Sequence, residues 1–591
     1  MTYFTIPHWW NLPVFLALIY LGLTRIQLES HNLYDTYSDG EFPVLSCEGV
    51  NTNADARTLD GLCNNLTVPG MGSVNTRFHR FVPINDTWSE SGGTLYTPNP
   101  RLISQKILTR ETFTPATSIN MLAVAWIQFQ THDWFSHGAE NDPDSKDMLI
   151  WDLPRDDPLR ATGQTNMTLR RTVFQTHDGR PNTYTNTQTH WWDLSPIYGV
   201  DDATHIKLRS LVDGKMRVAE DGLLPRNEEN GIDATGFSDD WWVGLSLMHN
   251  IWTKEHNAVA DMFKHAYPSW NDQEIFDHAR LVTCALNAKV HTVEWTPALL
   301  QDETLQIAMD ANWYGLAPEW LRGFPNIFNQ QIAQVWFGIM GGKPDFAGVP
   351  FAHSEEFVSV YRFHSLLLDA ITVLNHTDGS STGKSYDINE YTFSNAWDVV
   401  HDNDFSDLVF TFGADYPGAL QLGNYPKAMQ NLKKPGVSYA LDMGAVDIIR
   451  DRERGVPRYN EFRRLFSLIP AKTMADISDN PATVAALRSV YGEDVESVDM
   501  LVGCLAESPR ATGFAFSNTQ FQAFILAASR RLMTDRFFTT DYTPAIYTQE
   551  GLDWIANSDF RQVIGRNMPE LNASAHSVDN AFKPWVVPRT K

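Results

Sequence analysis

The feature that most restricts the fold of this chain is a long stretch, residues 239–300, in which apolar side chains recur at helical spacing. The steps between them are three, four, seven and three residues, which place them on one face of an α-helix: Leu245, Met248, Trp252, Val259 and Met262. The alternation of apolar and polar residues that marks strands is scarce along the chain. The pattern therefore predicts a mainly α fold.

The same periodicity divides the chain into three parts. Residues 1–30 form an apolar N-terminal segment, and residues 31–115, rich in Gly, Asn, Asp, Pro and Thr, predict an irregular arm. Residues 116–591 predict one large helical domain, since 43% of the 591 residues are hydrophobic and no repeat divides them. Within it we expect a first helix from about 117, loops over about 137–205, and later helices over 354–374, 395–413, 439–454, 458–467 and 517–536.

The N-terminal segment carries an apolar run, residues 14–23, about half the ~20 residues needed to cross a bilayer. No basic segment precedes the run and no small-residue cleavage site follows it, so it does not predict a signal peptide, and we expect an intracellular protein. Trp9 and Trp10 before the run and Arg25 after it are typical of a helix lying at a membrane interface. A core helix accounts for the run equally well, and both alternatives stay open.

Charge and cysteine content exclude several classes of protein. The net charge of −25 argues against nucleic acid as a partner, because phosphate binding needs clustered Lys and Arg. The four cysteines include no CxxC pair, so the sequence predicts neither a disulfide framework nor a structural zinc site. Cys47 and Cys63 are close enough in sequence to pair, but we expect free buried thiols.

The first candidate site is Gln128 with His132, which lie four residues apart in a predicted helix and so point the same way. A histidine beside an amide, both facing a cavity, can polarise a bound peroxide and move its proton. The second is Tyr361 with His364, in an apolar predicted helix. A buried histidine in such a setting can hold a haem iron, and a tyrosine one helical turn away would lie within electron-transfer range. Either pair alone is more typical of ordinary buried polar residues than of a functional site.

A third candidate is a loop with oxygen-bearing groups at alternate positions: Thr189, the Trp191 carbonyl, Asp193 and Ser195. Such a loop can wrap a hard cation such as Ca²⁺, and Asp133, next to His132, could supply a further carboxylate. An Asp/Ser turn before Pro196 explains the loop without any metal.

In chain order the motifs are the Gln128–His132 pair, the loop 189–195, Glu255-His256-Asn257, the Tyr361–His364 pair and the run 530–538, which begins Arg-Arg-Leu. With this order, the chain resembles the animal-type haem peroxidase and cyclooxygenase superfamily over essentially everything after residue 100. Within the superfamily, residues 10–18, 291–296 and 311–316 are similar to the α-dioxygenases, which oxygenate fatty acids at C2. The resemblance implies a large, single-domain, cyclooxygenase-like helical fold that binds haem b and Ca²⁺.

The resemblance also implies residue roles. His132 and Gln128 match the distal pair, His364 the proximal iron ligand and Tyr361 the catalytic tyrosine; the calcium ligands are Asp133, Thr189, Trp191, Asp193 and Ser195. His291 and Thr296 fall on the motif that binds the fatty-acid carboxylate, and Arg531 is the favoured third member, with Arg530 and Arg536 as alternatives. A protonated histidine, an arginine and a hydroxyl would form charge-assisted bonds to a carboxylate.

The chain departs from mammalian-type peroxidases at three places. Thr131 and Trp241 stand where those enzymes carry an Asp and a Glu esterified to the haem, so we expect non-covalent haem. Ser238 stands where they carry a distal-side arginine, which should weaken general peroxidase activity. The retained Tyr361 favours oxygenation.

By resemblance, a hydroperoxide activates the haem with the help of His132 and Gln128, and Tyr361 becomes a radical. The radical removes a hydrogen atom from C2 of a long- or medium-chain fatty acid, and O2 adds there. The 2-hydroperoxy product can lose CO2 to give an aldehyde one carbon shorter. The rival hypotheses are a haem peroxidase without a fatty-acid channel, and a haem-free adhesion or scaffold protein. A helical di-metal site would need partners that His291-x-x-Glu294 lacks.

Overall fold

The computed structural model describes residues 6–37, 47, 55–138, 147–317, 330–433 and 439–587. The first helices are α1 (Val14–His31), α2 (Gly92–Leu95), α3 (Pro100–Ile103), α4 (Met121–Trp134), α5 (Ser195–Tyr198), α6 (Asp202–Leu208), α7 (Val243–Ala266), α8 (Asp272–Val290), α9 (Thr296–Leu299), α10 (Glu303–Tyr314), α11 (Gln330–Phe337) and α12 (Glu355–Val360). The later helices are α13 (Asn395–His401), α14 (Phe405–Ala414), α15 (Met443–Glu453), α16 (Tyr459–Leu465), α17 (Met474–Ile477), α18 (Pro481–Tyr491), α19 (Met500–Ala506), α20 (Asn518–Met533), α21 (Pro544–Asn557), α22 (Phe560–Asn567) and α23 (Asn572–Ala575). The fold is mainly α, as predicted.

Four small antiparallel sheets of two strands each complete the described fold. The strands are β1 (Thr76–Arg77), β2 (Met148–Asp152), β3 (Asn166–Arg170), β4 (Gln175–His177), β5 (Arg180–Thr183), β6 (Thr185–Asn186), β7 (Ala370–Leu374) and β8 (Ser381–Asp387). They pair as β1 with β6, β2 with β3, β4 with β5, and β7 with β8. The region expected to be loops, 137–205, therefore contains two hairpins in its described part.

The helices pack around α4, α7 and α8. Helix α4 contacts α7 and α14, α7 contacts α8, and α8 contacts α21, so the apolar face predicted from residues 245–262 lies inside one large core. Local sequence fixes where these helices begin. Asn120 caps α4 through the Ala123 N–H, and Asn271 forms a capping box with Glu274 at the start of α8.

The tract 239–300 is not one helix. Helix α7 ends before Tyr267-Pro268, because proline lacks the N–H that a continuing helix needs and restricts the residue before it. After α8 the chain makes a π-helical turn, His291–Trp295, and continues into α9. The predicted helix 395–413 is likewise two helices, α13 and α14.

The predicted helix 354–374 is wrong beyond Val360. Tyr361 leaves the helix, His364–Leu366 forms a 3-10 turn, and residues 370–374 are strand β7. Remote donors take the carbonyls that a helix would use: Arg110 Nη2 donates to the Ser365 and Leu367 carbonyls at 3.2 and 2.8 Å. Tyr361 and His364 therefore do not lie one helical turn apart on a single helix.

Helix α1 packs on the core with one face and leaves an apolar face exposed, so core packing is confirmed and the interfacial helix stays a prediction. It packs against α10 and α20 through Ala17, Tyr20, Leu21 and Leu28. Its other face is open to solvent and apolar: Phe15, Leu16, Ile19 and Leu23 are 72, 49, 44 and 58% exposed. In the described part of the chain, no helix has the length and apolar character needed to span a bilayer.

The cysteines correct one expectation. Cys47 and Cys63 form a disulfide, so the prediction of free thiols is wrong for this pair. Cys284 and Cys504 are free and buried, as predicted. Sequence spacing could not decide the pairing, because it depends on how the loop between residues 47 and 63 folds back.

Candidate active site

A cavity enclosing about 1350 Å³, including its open mouth, lies between α4, the segment that follows α12, and α15. Both sequence-predicted pairs line it: Gln128 and His132 from α4, and Tyr361 and His364 from the segment after α12. Three arginines also line it, Arg362, Arg450 and Arg454. The cavity thus joins residues that are more than 200 positions apart in sequence.

Gln128 and His132 face this cavity together, as their spacing predicted. Trp242 Nε1 donates to Gln128 Oε1 at 2.7 Å, and Gln128 Nε2 donates to the Asp240 carbonyl at 3.3 Å, so the amide is oriented. Burial, with a smaller contribution from His249, lowers the pKa of His132 to about 3. The imidazole is therefore neutral near pH 7 and able to accept a proton.

His364 is oriented by a carboxylate. Its Nδ1 lies 2.7 Å from Asp447 Oδ2, which leaves Nε2 as the nitrogen available to the cavity. Metal-ligating histidines commonly hold their other ring nitrogen in this way. With cationic side chains suited to propionates and a neutral histidine-glutamine pair on α4, the residues fit a haem.

Tyr361 lies at the edge of the cavity, 9% exposed. Its ring packs against Phe357 and Trp134, with centroids at 4.7 and 5.9 Å. Burial raises the pKa of the phenol to about 12, although the neighbouring Arg531 opposes the shift. Among the described residues, the hydroxyl has no partner in hydrogen-bond geometry.

Arg531, on α20, lies beside this phenol. Its guanidinium carbon is 3.7 Å from the Trp134 ring centroid and 4.6 Å from that of Trp192. The side chain is 1% exposed and its polar neighbour is the Tyr361 hydroxyl, yet none of its three nitrogens makes a hydrogen bond of good geometry to a described residue. An unpaired buried cation is costly, so the arrangement suits an anionic ligand.

His291 completes this group but is not cationic. Trp126 Nε1 donates to its Nδ1 at 3.1 Å, so Nδ1 must be an acceptor. Burial and the nearby Arg531 charge hold the pKa of His291 well below its usual value. The expected protonated histidine is therefore wrong: the ring is neutral, and its buried Nε2–H is a donor with no partner in the part of the chain described.

The structure separates the three candidate arginines. Arg530 donates to the Phe346 and Val349 carbonyls at 2.9 and 3.2 Å, and Arg536 pairs with Asp541. Arg531 alone of the three lies beside Tyr361 and His291. Thr296 is buried, and its hydroxyl donates to the His291 carbonyl at 2.9 Å, so it braces the π-helical turn that carries His291.

The candidate calcium residues gather where α4 meets the loop before α5. The Ser195 N–H donates to both Asp133 Oδ1 and Asp193 Oδ1, at 2.8 and 3.2 Å, so the two carboxylates are close neighbours. Burial, and for Asp133 the charge of Asp193, raise both pKa values. Thr189 and Trp191 are buried in the same loop.

The peroxidase-type positions differ as the sequence indicated. Thr131 lines the cavity and Trp241 is buried, and neither offers a carboxylate. Ser238 accepts a hydrogen bond from Asn230 and does not line the cavity; its neighbour Phe237 packs on His132, with centroids at 4.8 Å.

For the di-metal alternative, the described residues offer a single group of three potential metal ligands, His376, Asp404 and Asp407, which does not include His291 or Glu294.

Sequence reasoning missed Asp447, Trp126 and Trp134. Asp447 lies in a run of charged residues with no motif of its own, and its role appears only when α15 packs beside His364. In the sequence, Trp126 and Trp134 are typical of buried core residues, and both are buried in α4. No local pattern distinguishes them from the other tryptophans.

A family model described as animal haem peroxidase matches residues 56–582, so the chain belongs to the animal haem peroxidase family. The Dictyostelium discoideum peroxidase A shares the fold, with a TM-score of 0.71 at 20% identity over 89% of this chain. Within the family, the chain is 35% identical to "Alpha-dioxygenase PIOX" of Oryza sativa over 98% of its length and 93% of the relative, and 35% identical to "Alpha-dioxygenase 2" of Arabidopsis thaliana over 98 and 91%.

Solved structures agree. The Oryza sativa fatty acid alpha-dioxygenase superposes with a TM-score of 0.89 at 34% identity, covering 98% of this chain and 94% of that one. A tyrosine-to-phenylalanine variant of the same enzyme, crystallised with palmitic acid, superposes equally well. This chain is thus a fatty-acid alpha-dioxygenase by family, and haem is the cofactor that the family implies.

Proposed function

We propose that this protein adds O2 to C2 of a fatty acid by means of a radical on Tyr361. One observation carries the proposal: the Tyr361 hydroxyl, the Arg531 guanidinium and His291 Nε2 are neighbouring buried groups. Tyr361 and Arg531 attract each other, but no described residue completes a hydrogen bond of good geometry to any of the three groups. A carboxylate bound by the last two would satisfy both and present its adjacent carbon to the first.

Arg531, His291 and Thr296 would together form a clamp for the substrate carboxylate, and this clamp would determine which carbon atom reacts. Arg531 would supply two charge-assisted bonds, and neutral His291 would supply one further N–H. Thr296 can add a third donor if its hydroxyl turns from the His291 carbonyl towards the ligand. Holding the carboxylate at one point places C2 near the Tyr361 oxygen and leaves the rest of the chain to apolar contacts.

His364 would hold the iron and Arg362, Arg450 and Arg454 would face the propionates of a non-covalent haem b. When bound, the haem supplies the oxidising power, drawn from a hydroperoxide, that removes an electron from Tyr361. His132, neutral because its pKa is about 3, accepts the peroxide proton, and the fixed Gln128 amide orients that peroxide.

Each later step at Tyr361 transfers one hydrogen atom to or from its oxygen. The phenol loses its proton with the electron, and the resulting oxygen radical forms an O–H bond as the C2–H bond of the substrate breaks. Dioxygen adds to the C2 radical. The peroxyl group takes a hydrogen atom back from Tyr361, which gives the 2-hydroperoxy acid and restores the radical. Breaking the C1–C2 and O–O bonds of this product releases CO2 and water and gives the aldehyde one carbon shorter.

Substitution of Tyr361 by phenylalanine tests the proposal. Oxygen uptake with palmitate should vanish, while the Soret band and peroxide-driven dye oxidation remain. Tyr547→Phe is a matched control, since Tyr547 is buried, donates to the Phe537 carbonyl and does not line the cavity. Undiminished oxygen uptake in Tyr361→Phe would overturn the proposal. Wild-type dye oxidation without oxygen uptake on any C8 to C18 acid would favour the peroxidase alternative.

We also propose that Asp133 and Asp193, with Thr189, Ser195 and the Trp191 carbonyl, bind Ca²⁺. The support is electrostatic: Asp133 and Asp193 are neighbouring buried carboxylates with raised pKa values, Arg280 pairs only with Asp193, at 3.4 Å, and a hard cation would relieve the remaining charge. Calcium at 100 times its Kd should stabilise the fold by about 2.7 kcal/mol. The test is the melting temperature with Ca²⁺ and with EGTA; equal values in the two, for wild type and Asp193→Asn alike, would contradict the site.

A third proposal concerns α1, whose open apolar face would rest in the outer layer of a lipid membrane. The fatty acid substrate partitions into membranes, and the exposed stripe from Phe15 to Leu23 contains no charged residue. Trp10 precedes the stripe, in a position typical of the interface. The contact would be peripheral.

A further inference from the structure

Three buried polar atoms lie behind His132, on the side of its ring away from the cavity. They are Nδ1 of His132 on α4, Nε2 of His249 on α7 and Nε1 of Trp241 just before α7, and no described residue hydrogen-bonds to any of them. The Trp241 and His249 rings lie 4.7 Å apart between centroids, and His249 is close enough to act electrostatically on His132. Buried polar atoms normally have a partner, so this group indicates a shared one.

The position and tautomer of His249 are fixed by its neighbours. Its Nδ1 donates to the Leu245 carbonyl at 2.8 Å, within the same helix. Burial lowers the pKa of His249 to about 3, so the ring is neutral and Nε2 carries a lone pair in place of a proton. Phe129, one turn of α4 before His132, packs edge-on against this ring with centroids at 4.9 Å and holds it beside α4.

The three atoms are complementary as donors and acceptors. The Trp241 indole nitrogen can only donate, His249 Nε2 can only accept, and His132 Nδ1 does one or the other according to its tautomer. The tautomer of His132 with its proton on Nδ1 offers a donor to His249. The same tautomer leaves Nε2, on the side of the ring that lines the cavity, without a proton.

We propose that His249 is a positioning residue which, through one buried water molecule, keeps the proton of His132 on Nδ1. The water would accept from His132 and Trp241 and donate to His249, and three hydrogen bonds are typical of a buried water. The inference deepens the proposed function, since it rests on His132 as the base that accepts the peroxide proton. A base needs its lone pair towards the cavity, and the water link to His249 would keep it there.

Removing the acceptor at position 249 should reverse this preference. A proton on His132 Nδ1 would then be a buried donor without an acceptor, whereas a proton on Nε2 could reach a ligand in the cavity. An unpaired buried donor is costly. His132 should therefore move its proton to Nε2 and present a donor, not a lone pair, to the cavity.

The carbon monoxide complex of the ferrous, haem-loaded protein tests the tautomer. A donor beside bound CO lowers its stretching frequency, so His249→Leu should shift the C–O band to lower frequency than in wild type. Binding of HCN to the ferric protein needs a base that takes its proton, and its association rate in His249→Leu should fall by about tenfold or more. His249→Gln retains an acceptor oxygen and should match wild type in both measurements.

His256→Gln is the matched control. His256 is buried on the same helix, and its ring nitrogens lie 2.9 Å from the Tyr198 hydroxyl and the Gly214 carbonyl. Its C–O frequency and HCN rate should equal those of wild type. Wild-type values of both in His249→Leu would overturn the inference, and so would equal shifts in His249→Leu and His249→Gln, because a purely structural role would not distinguish an acceptor from its absence.

A crystal structure of the wild-type protein decides if His249→Leu fails to bind haem. It should show an ordered water within hydrogen-bond distance of both His132 Nδ1 and His249 Nε2. A map that shows other buried waters but none at this position would overturn the inference. None of these measurements depends on oxygen uptake, so their failure is distinguishable from failure of the dioxygenase reaction, which Tyr361→Phe tests.

Discussion

At the scale of single residues, the site depends on Arg531. A buried arginine normally has every nitrogen satisfied, yet this one is held by two indole rings and has no hydrogen-bond acceptor in the described structure. The two neighbouring candidates are bound elsewhere: Arg530 donates to backbone carbonyls and Arg536 pairs with Asp541. The sequence narrowed the choice to three arginines, and the contacts of each decide it.

We expect Arg531→Gln to lose about 3–5 kcal/mol of substrate recognition, since two charge-assisted hydrogen bonds are removed. kcat/KM for palmitate should fall by about 100-fold or more. Arg530→Gln is the control, because it loses backbone contacts and should lower the melting temperature without changing KM. The opposite pattern, with KM raised only in Arg530→Gln, would assign the clamp to Arg530.

The neutral state of His291 gives a second expectation. A glutamine at this position retains an N–H donor and carries no charge, whereas alanine retains nothing. His291→Gln should therefore stay within about tenfold of wild-type kcat/KM, and His291→Ala should lose one neutral hydrogen bond and leave its neighbours unpaired, about 1–3 kcal/mol. Steady-state kinetics on one fatty acid compare them. A higher kcat/KM in His291→Lys than in His291→Gln would show that a positive charge is needed at this position.

At the scale of elements, the segment from Tyr361 to His364 shows how tertiary contacts override a local pattern. Apolar periodicity predicted a helix through residue 374, but Arg110 and the Gly418 N–H take the Ser365, Leu366 and Leu367 carbonyls. Residues 370–374 alternate between exposed and buried positions, with Ile371 and Val373 inside. This period of two is typical of a strand, but the longer helical pattern before it led to the prediction of a helix. Tyr361 and His364 meet the same cavity without sharing a helix.

The exposed apolar face of helix α1 predicts that the protein binds lipid vesicles. The double variant Phe15→Glu/Leu23→Glu should bind phosphatidylcholine vesicles at least tenfold more weakly than wild type, since transfer of each apolar side chain is worth about 1.5–3 kcal/mol. Zwitterionic vesicles are chosen because the net charge of −25 opposes anionic ones. Co-sedimentation measures the binding.

Ser30→Glu supplies the matched control, because it adds a charge to the same helix beyond the apolar stripe. It should bind as wild type does. Turnover of detergent-dispersed substrate should be the same in all three proteins. Equal vesicle binding by the double variant and wild type would remove the membrane role of α1.

At the scale of the whole molecule, an unusual number of histidines are buried and neutral. The pKa is lowered to about 3 for His132, His190, His249 and His256, and to about 4 for His205, chiefly by burial. These groups remain unprotonated in the folded protein down to acid pH. The unfolded chain binds protons at the same positions below about pH 6.5.

Acid should therefore unfold this protein early. Because the folded pKa values are depressed, the stability present above pH 6.5 is lost progressively as pH falls towards 4, by about 2 kcal/mol per histidine at pH 5. Buried carboxyl groups with raised pKa values, such as Glu294 at about 8 and Asp415 at about 6, act in the opposite direction and offset part of this loss. Urea unfolding at pH 7.5, 6.5 and 5.5 measures the slope; a free energy of unfolding that rises as pH falls would contradict this account.

The sequence by itself determined the features that depend on residues close together in the chain. Helical periodicity gave the mainly α class, and the four-residue step from Gln128 to His132 placed both on one face of α4. The motif order indicated the family, which the comparisons confirm. Such patterns depend only on neighbours within a few turns, and the local backbone is enough to realise them.

The tertiary structure decided what depends on distant pairs. Asp447 reaches His364 across 83 positions, Trp126 fixes the tautomer of His291 across 165, and Arg531 finds its place by stacking on Trp134. No local period relates these residues, because they come together only when separate helices pack. Protonation states and ligand orientation follow from that packing, since burial and partners set them.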